Sequence, residues 1–146
     1  MSNLLKDQMM LRAIIMDHYK YPHHHGLVDD ESYQKMHMSS ASCIDDIHVQ
    51  AKIEDGIIKD IRFDGVACTI STASTSIMCD LMVGKKVEEA QKIMDEYNKM
   101  IDGQEYDEEL LEEAIAFAGV GNQANRIKCA TIGWRGIDAI IKGSEE

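Results

Sequence analysis

Rigid aromatics are scarce in this chain: two Phe and one Trp stand against ten Met. Its core therefore has few stiff anchors and leans on thioethers, which fill irregular gaps but specify packing weakly. Cations are also in deficit, 15 Lys and Arg against 26 Asp and Glu, for a formal charge of −11. That balance excludes attraction to nucleic acid or to an anionic membrane surface. Two uses remain for it, solubility and steering toward a basic patch on a protein partner. No apolar run reaches the length of a membrane span. No Cys-x-x-Cys pair occurs, which excludes a zinc ribbon and a thioredoxin-type motif. Neither an internal repeat nor a linker interrupts the 146 residues, so a single domain is expected over 1–146. The first twenty residues carry Lys6, Asp7, Arg12 and Asp17. They read as an amphipathic helix, whereas a secretory leader needs an unbroken apolar segment. The expected compartment is cytoplasmic. Thiols stay reduced there, so four cysteines suggest metal or sulfur chemistry more than disulfides.

The hydrophobic pattern then lays out the elements. Leu4, Leu11, Ile15 and Tyr19 form one helical stripe that Pro22 and Gly26 terminate. His23, His24 and His25 read as a solvated loop, because three adjacent histidines cannot all face one ion from a regular element. Residues 27–42 show no period. Ile47, Val49, Ala51 and Ile53 alternate with His48, Gln50 and Lys52, the mark of a half-buried strand with His48 on its polar face. Asp55-Gly56 signals a hairpin, and a second strand returns from Ile57 to Phe63. Asp64-Gly65 breaks it, leaving 66–70 as a short third strand. Helices are expected from Ser71 (capped by Ser71 or Thr72) to Gly84, from near Lys86 to Gly103, and over 107–118. A last helix carries Ile127, Ala130, Trp134, Ile137 and Ile141 on one stripe. The fold class is α+β: a three-stranded antiparallel sheet with about five helices packed on one face and at the ends.

The cysteines are Cys43, Cys68, Cys79 and Cys129. Cys79 falls mid-helix and serves as a small apolar filler. The other three fall at element ends, where a fold can gather them. Asp45 lies two residues after Cys43, which in an extended segment puts both side chains on one face. Cys43, Asp45, Cys68 and Cys129 thus compose a candidate tetrahedral set of three sulfurs and one oxygen, suited to zinc or to an iron–sulfur cluster. Three buried structural cysteines and a solvated Asp45 are the alternative that the residues leave open.

Local sequence adds a resemblance. The stretch Asp64-Gly65-Val66-Ala67-Cys68-Thr69-Ile70-Ser71-Thr72-Ala73-Ser74-Thr75-Ser76-Ile77-Met78 resembles the second-cysteine segment of the U-type iron–sulfur scaffold family. Arg126-Ile127-Lys128-Cys129-Ala130-Thr131-Ile132-Gly133-Trp134 resembles its third-cysteine segment, and Tyr21-Pro22-His23-His24-His25-Gly26 its N-terminal turn. Within that family (IscU and NifU N-terminal-like proteins) the chain looks like the SufU branch. Lys128 stands where IscU-type proteins carry His, and the stretch between Cys68 and Cys129 has the length of a SufU-type insertion. The resemblance implies a zinc ion held by Cys43, Asp45, Cys68 and Cys129, with Cys43 as persulfide acceptor and Arg126 as a supporting charge. It implies a SufS-type, pyridoxal-phosphate-dependent cysteine desulfurase as partner and downstream iron–sulfur assembly proteins beyond it. On that reading the chain is a zinc-dependent sulfurtransferase. The alternative is a non-enzymatic scaffold that builds a [2Fe–2S] cluster on the same residues and passes it on. Monomer and weak dimer both remain open. The sequence departs from the family at Ile44, where glycine commonly follows the first cysteine, placing bulk beside Cys43.

Overall fold

The computed structural model describes residues 7–39 and 44–144. Helix α1, Gln8–Lys20, starts at Asp7, whose carboxylate accepts the Met10 N–H at 3.0 Å. Strands β1 (Gln34–Ser39), β2 (Asp46–Glu54) and β3 (Ile57–Val66) follow, then α2 (Thr69–Met82) and α3 (Val87–Ile101). A short α4 (Glu108–Leu111) runs into a 3₁₀ stretch (Glu112–Asn122), and α5 (Ala124–Ser144) closes the chain. The architecture is α+β, with three antiparallel strands in the order β1-β2-β3 and five α-helices among the described residues.

The hairpin forms as the sequence predicts. Asp55 and Gly56 both take positive φ, 55° and 74°, the backbone hand that matches strand twist. Register then aligns Met38 with Ile47, Met36 with Val49, Val49 with Phe63 and Ala51 with Ile61, so one face is apolar. Ile58 and Ile61 are both fully buried although three apart, which strict alternation forbids. An irregularity after Lys52, where Lys52 pairs with Asp60 but Ile53 with Ile58, takes up the extra residue. Helix α5 packs on β1 and β2, and α2 packs on α5, α1 and β3.

Three expectations are corrected. The third strand is β1, within the stretch that showed no period; only Met36 and Met38 give it an apolar side. Residues 66–70 form no separate strand. β3 runs on through Asp64-Gly65 to Val66, because Gly65, at φ 130°, lies against the facing strand where a Cβ would sit 2.3 Å from the Asp46 carbonyl. The 107–118 helix breaks after Leu111, where Glu112 takes φ 46° and the chain tightens to 3₁₀ through Asn122. On α1 the buried stripe is Leu11 and His18, while Tyr19 is exposed; Leu4 lies outside the described residues.

The segment after α1 is pinned rather than free. Gly26 N–H donates to the Phe63 carbonyl at 2.8 Å and Phe63 N–H to the His24 carbonyl at 3.2 Å, covering part of the open edge of β3. Arg62 donates to the Gly26 and His25 carbonyls, and the buried Gln50 side chain bonds both the N–H and the carbonyl of Val28. No helix among the described residues is long and apolar enough to cross a membrane.

Candidate metal centre

The fold brings three of the four proposed ligands together. Asp45, Cys68 and Cys129 place one ligand atom each within 4.8 Å of the others. Asp45 sits immediately before β2, Cys68 between β3 and α2, and Cys129 in the second turn of α5. Cys43 lies outside the described residues. Cys79 belongs to the core and is not in the group.

Asp45 is the best-fixed member. It is 1% exposed, its Oδ1 accepts the Cys68 N–H at 2.9 Å, and its Oδ2 accepts the Ser71 hydroxyl. A buried carboxylate with two donors stays where the backbone puts it. Cys68 is itself the N-cap of α2, its sulfur accepting the Ser71 N–H at 3.4 Å. The sequence assigned that cap to Ser71 or Thr72. Ser71 instead sits inside the first turn and bridges Asp45 to Cys68, a role that a serine three residues past a cysteine could have signalled.

Cys129 is 5% exposed and its thiol is pushed up to about 12, first by burial, then by the neighbouring Cys68 and Asp45. Three acidic groups thus share one partly dry space. Two sulfurs and a carboxylate oxygen are a donor set that suits zinc, and the crowding is what a cation would relieve. The residues present fit such an ion.

A polar clamp seats α5. The hydroxyls of Ser74 and Tyr97 both donate to the Ala130 carbonyl at 2.6 Å, and the Trp134 indole N–H donates to Ser74 Oγ at 2.9 Å. The Tyr97 and Trp134 rings stack with centroids 3.8 Å apart. Gly133 lets α5 approach α2, since a Cβ there would lie 2.3 Å from Thr75 Oγ1. Arg126 and Lys128 are exposed near the start of α5. Ile44, next to Asp45, is 67% exposed.

Comparison with known proteins gives the chain's relatives. The family profile described as "NifU-like N terminal domain" matches residues 10–141. The iron–sulfur cluster assembly scaffold protein IscU of Streptococcus pyogenes serotype M1 is 39% identical over 97% of this chain and 88% of its own. The zinc-dependent sulfurtransferase SufU of Bacillus subtilis (strain 168) is 35% identical over 93% of this chain and 92% of its own. A crystal structure from Fervidobacterium islandicum AW-1, of a candidate cluster assembly scaffold for the SUF system, superposes with a TM-score of 0.78. It is 31% identical and covers 86% of this chain and 92% of its own. The chain belongs to the family of NifU-like N-terminal domains.

Proposed function

We propose that this protein works in cytoplasmic iron–sulfur cluster assembly as a single U-type domain over 1–146. In this reading it holds zinc through Cys43, Asp45, Cys68 and Cys129 and accepts sulfur on Cys43 from a SufS-type cysteine desulfurase. The observation that carries it is the convergence of a buried carboxylate and two thiols from three separate elements. The zinc-dependent sulfurtransferase of B. subtilis, matched over nearly the whole length of both chains, supports the same choice of metal.

When bound, the ion would keep its cysteines as thiolates near neutral pH. The chain supplies the rest. The Cys68 N–H and the Ser71 hydroxyl hold Asp45, and the Ser71 N–H holds the Cys68 sulfur. The Ala130 clamp fixes the turn that carries Cys129. Cys43, two residues from Asp45, acts as nucleophile: its thiolate attacks the outer sulfur of the partner's persulfide. A new S–S bond forms on Cys43, the partner's S–S bond breaks, and the partner cysteine leaves as thiolate. Arg126, three residues before Cys129, contributes a permanent positive charge beside an anionic group of ligands. The acidic surface favours docking on a basic patch of the desulfurase.

A second reading, a scaffold for a [2Fe–2S] cluster, is favoured by the 39% identity to the S. pyogenes scaffold protein. Elemental analysis of protein purified without added metal separates the two. The expected result is zinc whose content falls by one equivalent per chain in Asp45→Ala, with Cys43→Ser folded but unable to gain the mass of a sulfur atom from the desulfurase. Iron with sulfide would establish the scaffold instead. Absence of any metal would overturn both.

A further inference from the structure

The far half of α2 carries a second cluster that the cysteine chemistry does not use. Asp80 lies twelve residues beyond Cys68, roughly 18 Å along the helix axis. Its Oδ2 meets His23 Nδ1 at 2.6 Å and its Oδ1 meets His24 Nε2 at 3.3 Å. His18, His23 and Asp80 each offer a ligand atom within 4.8 Å of the others. Glu113, from the 3₁₀ stretch, reaches His18 Nε2 at 3.1 Å.

The loop that delivers the histidines is built for this. Three adjacent histidines cannot all face one ion from a regular element, and here two of them, His23 and His24, face Asp80 from a loop. The backbone at His24 makes it possible by turning left-handed, φ 61°, an uncommon state for any residue but glycine. His25 faces the other way, toward Asp64 at 3.1 Å. Ser76 Oγ accepts the His23 N–H at 2.8 Å and lies 2.8 Å from His18 Nδ1. With His18 Nδ1–H donating to Ser76 Oγ, the Nε2 lone pair on the Glu113 side is left for an ion. His18 is 2% exposed, so its ring position is held by the interior. The His23 and Asp80 side chains remain 48% and 35% exposed, which leaves a path for an ion. A cavity of about 60 Å³ lined by Ile77, Asp80, Leu81, Glu112 and Glu113 opens beside them.

We propose that His18, His23 and Asp80, with His24 and Glu113 within reach, form a second metal site for a divalent first-row transition ion. Imidazole and carboxylate without thiolate suit Zn²⁺, Fe²⁺, Co²⁺ or Ni²⁺, and the set differs in softness from the cysteine cluster. Ser76 is a positioning residue that orients the buried histidine from behind. The site goes beyond the sulfur-transfer reading and stands or falls separately from it.

Cobalt(II) titration of the full metal-free chain under anaerobic conditions tests it. Two equivalents are expected, one with thiolate-to-cobalt charge-transfer absorption and one without. Asp80→Asn and His23→Gln, both at partly exposed side chains, should abolish only the band-free equivalent, with unchanged thermal melts of the metal-free proteins. Ser76→Ala should retain it with affinity weakened about tenfold. Asp45→Ala should disturb only the thiolate band, so failure of the cysteine site and failure of this one are distinguishable. A single thiolate-bound equivalent would overturn the proposal. So would a band-free equivalent that survives Asp80→Asn and disappears in His25→Gln, which would mark loose capture by the histidine run.

Discussion

The two ends of α2 gather polar side chains in opposite ways. At its start, Cys68 and Asp45 are fixed by backbone N–H groups and a buried hydroxyl, and the carboxylate is almost wholly out of water. Toward its end, Asp80 on the helix and His23 on the loop after α1 lie partly in solvent, and only His18 is buried. The first arrangement depends on close backbone approach and the second on side chains meeting at the surface. The cysteine end should therefore be sensitive to changes in packing that the histidine end ignores.

Three substitutions sharpen that contrast. Gly65→Ala should have the largest effect. The new Cβ meets the Asp46 carbonyl at 2.3 Å and the Ile47 Cα at 2.9 Å, with φ at 130°. A loss of about 2–4 kcal/mol by chemical denaturation is expected, since the obstacle is backbone and cannot step aside. Metal at the cysteine cluster should weaken with it, because Gly65 braces the strand start beside Asp45; equal weakening at the histidine end would erase the contrast. Gly133→Ala comes next. Its Cβ presses on Thr75, a buried β-branched side chain with little rotamer freedom, and overpacking of this kind costs about 1–3 kcal/mol. Tyr97→Phe should be mildest, about 1 kcal/mol, because the Ala130 carbonyl keeps Ser74 as donor. A cost beyond ~3 kcal/mol there would mean that the ring pair, rather than the hydroxyl, depends on the phenol.

The same contrast explains what the sequence discloses. The β2–β3 hairpin, α3 and α5 follow from alternation or helical stripes, because their apolar residues are numerous and regularly spaced. β1 is hidden, since a six-residue strand with two methionines as its only apolar side leaves almost no period. The end of β3 is hidden for another reason: Gly65 reads as a breaker but is the one residue thin enough for that approach. At the cysteine end, Asp45, Cys68 and Cys129 were legible from residue type and position at element ends. Ser71 was misplaced as a cap because the true cap is a cysteine sulfur. The histidine end was illegible because it depends on one left-handed residue and on a carboxylate more than fifty positions away in the chain. No local pattern announces such a meeting.

The Tyr97–Trp134 stack carries a practical consequence. Trp134 is the sole tryptophan in the chain, 2% exposed, and five residues beyond Cys129 on the same helix. Its indole is thus an intrinsic fluorophore reporting whether α5 is seated on α2 and α3. An emission maximum that moves to the red before the sheet melts would show α5, with its Cys129, coming away while the β2–β3 hairpin still holds. The molecule therefore comes with its own optical gauge of when its cysteine cluster is assembled, and no label need be added to read it.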